Sequence, residues 1–223
     1  DPGYPFLLAD VTNPASVAAA FAQLRGEPLW GIINAAGAAS LNLLLTTPPQ
    51  SMARIVNTNL LGTMYCCAEA SKLLIRTAGK SGTQADSPER GGRIVNFSSI
   101  AAPLALMGES VYAASKAGVE TFSRCLAREL AHFGVTVNAV APSPIVSNRL
   151  RRVQREKVEA LVNRQVVQRM SAPEDVWNSV EFLIGETSGM IRGEVLHVGG
   201  VCCPCSAQLR PDSSLRGDRS CYG

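Results

Sequence analysis

Short runs of Val, Ile and Leu alternate along the chain with longer segments whose apolar positions recur every three or four residues. That is the pattern of a parallel sheet covered by helices. The short runs predict strands at residues 6–9, 30–34, 93–97, 135–140 and 195–198. Between them the longer period predicts a helix opening at Asn13-Pro14 and running to about residue 25, a long helix over 49–77 and another over 110–133. Asn13 is a capping residue and Pro14 suits the first helical position. Ser171, Pro173, Glu174 and Asp175 mark a further helix start, with its acidic residues in the first turn where the helix dipole favours them. Strands alternating with helices define an α/β protein. Two stretches break the pattern. Residues 80–92 are polar and rich in Gly and Pro, the composition of a surface loop, and residues 201–223 form a Cys/Ser/Pro/Arg tail with no periodicity, expected to be unstructured. One domain over residues 1–200 followed by a tail is the expected organisation.

Composition narrows this picture a little. A chain of 223 residues, 46% hydrophobic, is long enough for one well-buried domain, and it holds no run of 18 apolar residues that would span a membrane. The net charge of +3 is too mild for a nucleic-acid footprint. Arg149, Arg151, Arg152 and Arg155 gather in one segment, which reads as a solvated helix face, with a phosphate or an acidic carrier as the other reading. Of seven cysteines, Cys66, Cys67 and Cys125 fall in helical patterns as small packing residues. Cys202, Cys203, Cys205 and Cys221 lie in the tail at spacings that match no paired Cys-x-x-Cys metal site, so no metal is expected. No basic region leads into an apolar run at the start of the chain. The expectation is a cytoplasmic protein, with an organellar one left open.

The candidate chemistry lies in the run Tyr-Ala-Ala-Ser-Lys. At i and i+4 on a helix, Tyr112 and Lys116 share a face, and an ammonium there favours the ionised phenol. A tyrosine so tuned can give a proton to a carbonyl or take one from an alcohol. Ser98 and Ser99 close the strand upstream, and the Ser99 hydroxyl could bond the same substrate oxygen. Taken alone, Tyr-x-x-x-Lys is as well explained by a surface pair on an amphipathic helix. Other segments argue against that: Leu-Ala-Asp-Val at 8–11, Asn-Ala-Ala-Gly at 34–37, Val-Asn-Thr-Asn-Leu at 56–60, Arg-Ile-Val-Asn-Phe-Ser-Ser at 93–99, Val-Asn-Ala-Val-Ala-Pro at 137–142 and Gly-Glu-Val-Leu-His-Val-Gly-Gly at 193–200.

In order and spacing these segments resemble the short-chain dehydrogenase/reductase family, and the carboxyl half most resembles its 3-oxoacyl carrier-protein reductases. The resemblance implies a Rossmann-like doubly wound parallel sheet. It also implies hydride transfer between a nicotinamide cofactor, NADP or NAD, and a ketone or secondary alcohol, without a metal. Tyr112 would be the general acid or base, Lys116 its partner and a ligand of the nicotinamide ribose, Ser99 the group that orients the substrate oxygen, and Asn59 the holder of a water in a proton relay. Asp10 and Val11 match the pair that contacts adenine. Asn34, Ala35 and Gly37 match the turn that admits the cofactor, with Ala35 where many relatives have asparagine. Pro142, Ile145 and Ser147 match the loop that holds the nicotinamide carboxamide. Ser143 replaces that loop's glycine, which puts its shape in question, since serine does not take positive φ cheaply.

The family's opening strand, Gly-x-x-x-Gly-x-Gly turn and helix have no counterpart here, so the sheet is expected to lack its first two strands and first helix, orphaning the strand at 6–9. Partners implied are a small carbonyl or alcohol substrate, carrier-bound in the subclass reading, and a second copy or three further copies docked through the two long helices. The alternative is a non-catalytic interaction subunit derived from the same family.

Overall fold

The computed structural model describes residues 6–80, 91–146, 158–159, 162–163 and 165–200. Among them β1 (Gly31–Asn34), β2 (Arg93–Phe97), β3 (Thr136–Pro142) and β4 (Val195–Val198) form one parallel sheet in the order β1-β2-β3-β4. The register places Asn34 beside Asn96, Phe97 beside Val140 and Pro142 beside Val198. The helices are α1 (Pro14–Ala22), α2 (Pro49–Val56), α3 (Gly62–Lys80), α4 (Ala101–Leu104), α5 (Ser110–Glu129) and α6 (Pro173–Ile184).

Successive side chains of a strand point to opposite faces, so Ile94 and Val137 look one way while Val95 and Val140 look the other. The first pair is buried with Cys67 and Leu74 of α3 and Leu126 and Ala127 of α5. The second is buried with Val176, Val180 and Leu183 of α6. Helices therefore cover both faces, and the near-continuous apolar strands are explained by that double burial. Asn13 caps α1 as its sequence position implied, accepting from the N–H groups of Ala15 at 2.9 Å and Ser16 at 3.3 Å.

Several expected elements differ in detail. Residues 6–9 form no strand, and Phe6 and Leu8 are exposed. A strand needs a neighbour for its N–H and C=O groups, and among the described residues the sheet ends at β1 and β4, neither of which pairs with that segment. The helix from Asn13 stops at Ala22, and that over 110–133 ends at Glu129, after which a 3-10 turn (Ala131–Phe133) and Gly134 at φ 70° reverse the chain. The helix over 49–77 is α2, a π turn (Asn57–Leu61) and α3, which extends to Lys80. Val11 packs so closely on the start of α3 that a Cβ at Gly62 would lie 3.0 Å from its Cγ2. The arginines at 149–155, Ser147, residues 81–90 and the tail cysteines lie outside the described residues.

Arg93 is fully buried. Its guanidinium donates to the carbonyls of Gly91, Gly185 and Glu186. It also lies 5.3 Å from the centroid of the Trp30 ring, whose Nε1 donates to Ile184 O at 3.0 Å. One side chain thus ties the C-terminal end of α6 to the sheet, with its charge held by carbonyl dipoles and an aromatic face. Arg93→Met fills the space but leaves those carbonyls unpaired. It should lower stability by about 3 kcal/mol in thermal or urea unfolding, and an unchanged midpoint would show that the guanidinium does not hold α6.

Candidate active site

The C-terminal ends of the strands are where open α/β sheets bind ligands, and every candidate catalytic side chain is delivered there. β2 ends at Phe97 and hands the chain to Ser98 and Ser99. The Ser98 N–H bonds Val140 O at 2.8 Å, continuing the ladder, and its buried hydroxyl donates to Glu120 Oε1 of α5 at 2.7 Å. Ser99 is half-buried and accepts from the Ala101 N–H at 3.2 Å, at the start of α4, so its own O–H remains a donor. Ser98 is thereby a structural link, whereas Ser99 is the more accessible hydroxyl of the two.

On α5, Lys116 is almost wholly buried, and its Nζ donates to Phe97 O at 2.7 Å. The same Nζ lies 5.9 Å from the centroid of the Tyr112 ring, the arrangement implied by a four-residue spacing on one helix face. Burial lowers the Lys116 ammonium from the usual 10.5 to about 8.

Asn59 lies in the π turn and is fully buried. The extra residue of a π turn re-aims the side chains around it. The Asn59 Nδ2 donates to Ala38 O at 2.8 Å and to Ser115 Oγ at 2.9 Å, and its Oδ1 accepts from the Ala38 N–H at 2.7 Å. Ser115 in turn donates to Tyr112 O at 2.7 Å. One amide thus holds the turn after β1 against α5. Gly37, next in that turn, brings its backbone close: a Cβ there would lie 3.6 Å from Asn59 Oδ1 and 3.9 Å from Lys116 Nζ. Sequence reasoning passed over Ser115 and Ala38. Ser115 was visible as the residue before Lys116, whereas Ala38 acts through its backbone, which no side-chain pattern reveals.

The candidate cofactor residues are distributed unevenly. Asp10 is exposed and its Oδ1 accepts from Thr12 N at 2.9 Å and Thr12 Oγ1 at 2.8 Å, which hold its carboxyl below the ordinary range. Ala35 and Gly37 are exposed in the turn after β1. Asn34 instead turns its amide into the core, donating to Asn96 Oδ1 at 2.8 Å and Cys67 Sγ at 3.2 Å, so that amide serves the sheet rather than the crevice. Pro142 ends β3 and accepts from the Ile100 N–H at 3.2 Å, while Ile145 packs into the core on the α6 side and forms a parallel bridge with Ser171. Ser143 does not need positive φ. Ala105 is the only non-glycine residue with positive φ among those described, and the buried Ser143 hydroxyl shares a 2.6 Å hydrogen bond with Ser171 Oγ. Serine in place of glycine has therefore been given a partner, which ties this loop to the approach to α6.

A nicotinamide cofactor fits this donor set in one part. The backbone at Gly37 passes close to the buried ammonium, and Asp10 is an exposed carboxylate oriented by Thr12. No Gly-x-x-x-Gly-x-Gly turn for a pyrophosphate occurs in the sequence. Among the described residues no group of His, Cys, Asp and Glu could hold a metal ion.

Comparison with known proteins bears on this geometry. A family model described as Enoyl-(Acyl carrier protein) reductase matches residues 2–201. A 3-oxoacyl-[acyl-carrier-protein] reductase FabG of Escherichia coli is 32% identical over 198 residues, covering 87% of this chain and 75% of the relative. The corresponding protein of Pseudomonas aeruginosa is 34% identical over 197 residues, 87% of this chain and 74% of the relative. Among solved structures, a candidate gluconate dehydrogenase from Agrobacterium tumefaciens superposes with a TM-score of 0.76 at 25% identity, over 86% of this chain and 72% of that one.

Lys116 provides a test of the geometry that needs no ligand. Its folded value of about 8 lies below the unfolded 10.5, so between those limits the unfolded chain holds a proton that the folded chain has released. Stability should therefore rise with pH across that window through this group. In NMR of lysine-labelled protein, one ε-methylene should titrate near 8 and disappear from that position in Lys116→Arg. Titration of every lysine near 10.5 would contradict the burial described.

Proposed function

The chain belongs to the short-chain dehydrogenase/reductase family, and on that premise we propose that Tyr112 transfers the proton, with Lys116, Ser99 and Asn59 as its supports, in an oxidoreductase reaction at a ketone or secondary alcohol. The family's reaction is nicotinamide-dependent oxidoreduction. When bound, the cofactor supplies or accepts the hydride at the substrate carbon, and the protein handles the proton and the geometry.

In the reducing direction the Tyr112 phenol gives its proton to the carbonyl oxygen as that oxygen gains charge. The Ser99 O–H donates to the same oxygen and fixes its position. The resulting phenolate is stabilised by the Lys116 ammonium beside the ring. Asn59 keeps α5 and the turn after β1 at a constant separation, and that turn carries Gly37 over Lys116. The return of a proton from solvent to Tyr112 runs by way of Lys116; the Asn59 amide, taken up by Ala38 and Ser115, positions that route and is not itself the holder of a water. The observation that carries this reading is the buried Lys116 Nζ, fixed on Phe97 O and facing the Tyr112 ring. By resemblance we assign Asp10 and Val11 to the adenine, the backbone of the turn at Ala35 and Gly37 to the nicotinamide side, with the Asn34 amide given to the sheet, and Pro142, Ile145 and Ser147 to the carboxamide, Ser147 lying outside the described residues.

The likeness to FabG proteins supports a 3-oxoacyl group on a carrier as the substrate, with the alcohol as product. It leaves the choice between NADP and NAD to experiment. Assembly of copies through α3 and α5 belongs to the same reading. Among the described residues no helix is long and apolar enough to cross a membrane.

Tyr112→Phe removes one oxygen and keeps the ring packing. It should lower kcat for ketone reduction by roughly 10²–10⁴-fold with an unchanged circular dichroism spectrum. Substantial activity in that variant would remove Tyr112 from its role.

A further inference from the structure

Beyond the ends of β3 and β4 three stretches of chain come together: residues 143–146, residues 165–171, and the pair Gly199 and Gly200. Backbone hydrogen bonds lace them. The Ser143 N–H donates to Val198 O at 3.0 Å, the Ser171 N–H to Pro144 O at 2.9 Å, the Val146 N–H to Ser171 O at 3.1 Å and the Val167 N–H to Gly199 O at 3.0 Å. The two glycines permit this approach. At φ 93° and 73° they take conformations that a side chain disfavours, and a Cβ on Gly200 would lie 2.9 Å from Val166 Cβ.

Three polar side chains are enclosed where the stretches meet: Ser143, Ser171 and Gln165, which are 4%, 3% and 2% exposed. Ser143 and Ser171 share a hydroxyl–hydroxyl bond of 2.6 Å in which either can donate. Whichever does, the other keeps an O–H to give elsewhere, and among the described residues neither hydroxyl has a further partner. Gln165 brings two N–H donors and an acceptor oxygen, and among the described residues neither its Nε2 nor its Oε1 has a hydrogen-bond partner. The two sets meet at Gly199, where a Cβ would lie 2.8 Å from Ser143 Oγ and 2.9 Å from Gln165 Oε1. A spare hydroxyl donor and a spare amide acceptor thus converge beside one backbone atom. A buried amide left bare is costly, and leucine or methionine would fill the same space without that cost.

We propose that Gln165 is a positioning residue for the nicotinamide end of the cofactor: its amide oxygen accepts from the Ser143–Ser171 hydroxyl pair, and this buried network holds the turn that follows β3. The inference rests on the assignment of Pro142, Ile145 and Ser147 to the carboxamide, and adds the group that fixes their turn. In the network the Ser171 O–H donates to Ser143 Oγ and the Ser143 O–H to Gln165 Oε1. Glycine at position 143 could not take part, so the serine there is the link between Gln165 and the turn. Gln165 is too deeply buried to touch the cofactor and acts through Ser143.

The test is a double-mutant cycle of Gln165→Met and Ser143→Ala, with folding checked by circular dichroism. Its first readout is the dissociation constant of NADPH or NADH, whichever binds the parent more tightly, beside that of the matching dinucleotide without nicotinamide, ADP-ribose or its 2′-phosphate. Gln165→Met should weaken binding of the nicotinamide nucleotide by about fivefold and leave ADP-ribose binding unchanged. The double variant should bind no more weakly than the weaker single variant, because both substitutions cut the same network. Unchanged nucleotide binding in Gln165→Met, an equal loss with ADP-ribose, or single effects that multiply in the double variant would each overturn the proposal. If the parent binds neither nucleotide, the cofactor reading of this chain fails separately. The network is then decided by urea unfolding of the same four proteins: a double variant no less stable than the less stable single one supports it. Additive losses, or a Gln165→Met midpoint above the parent's, refute it.

Discussion

The carboxamide of Asn59 is the constraint on which the site depends. Three hydrogen bonds, two to the backbone of Ala38 and one to Ser115, connect the turn after β1, the π turn and α5, which lie far apart in sequence. A fully buried amide with both of its functions used costs little, but loss of any one partner would leave a polar group stranded in the interior. The arrangement is therefore close to all-or-none. It fixes how closely the backbone at Gly37 approaches the Lys116 ammonium.

Beneath this clamp a second buried polar chain crosses the sheet. Asn34 of β1 donates to Asn96 of β2 and to Cys67 of α3, and Asn96 Nδ2 donates to Ser123 Oγ of α5 at 2.9 Å. The two helices α3 and α5 are thus tied to the two strands that end beneath the candidate site. Burial drives the Cys67 thiol up to about 12, so it takes part as a neutral packing and hydrogen-bonding group and not as a nucleophile. Apolar packing alone would let α3 and α5 slide along the sheet, whereas these directional bonds specify one register.

Much of this was legible in the sequence because it follows from short periods. The four-residue spacing of Tyr112 and Lys116, the Val/Ile runs of β2 and β3 and the Asn13-Pro14 cap depend on neighbours along the chain. What was not legible depends on partners distant in sequence. The segment at 6–9 has strand composition but no adjacent edge, and composition cannot supply a ladder. The π turn around Asn59 is invisible to a helical period that continues through it, although the asparagine itself was placed. Asn34 has the residue type for a cofactor turn, and only the register with Asn96 shows that its amide faces inward. Ser143 was judged by the φ that a glycine would need, whereas its hydroxyl is accommodated by Ser171. In each case the local preference was read correctly and a tertiary partner decided the outcome.

The central claim, proposed above, is that the nicotinamide end of a dinucleotide binds beside Lys116, even though the sequence contains no Gly-x-x-x-Gly-x-Gly turn. Titration of NADPH and of NADH into lysine-labelled protein, with the Lys116 side-chain resonance as reporter, tests this most directly because it detects weak binding at a known atom. The account predicts a saturable shift of that resonance with at least one of the two nucleotides, absent with the adenosine half alone. A Lys116 signal that stays in place at millimolar concentrations of both, in protein that remains folded, would contradict it.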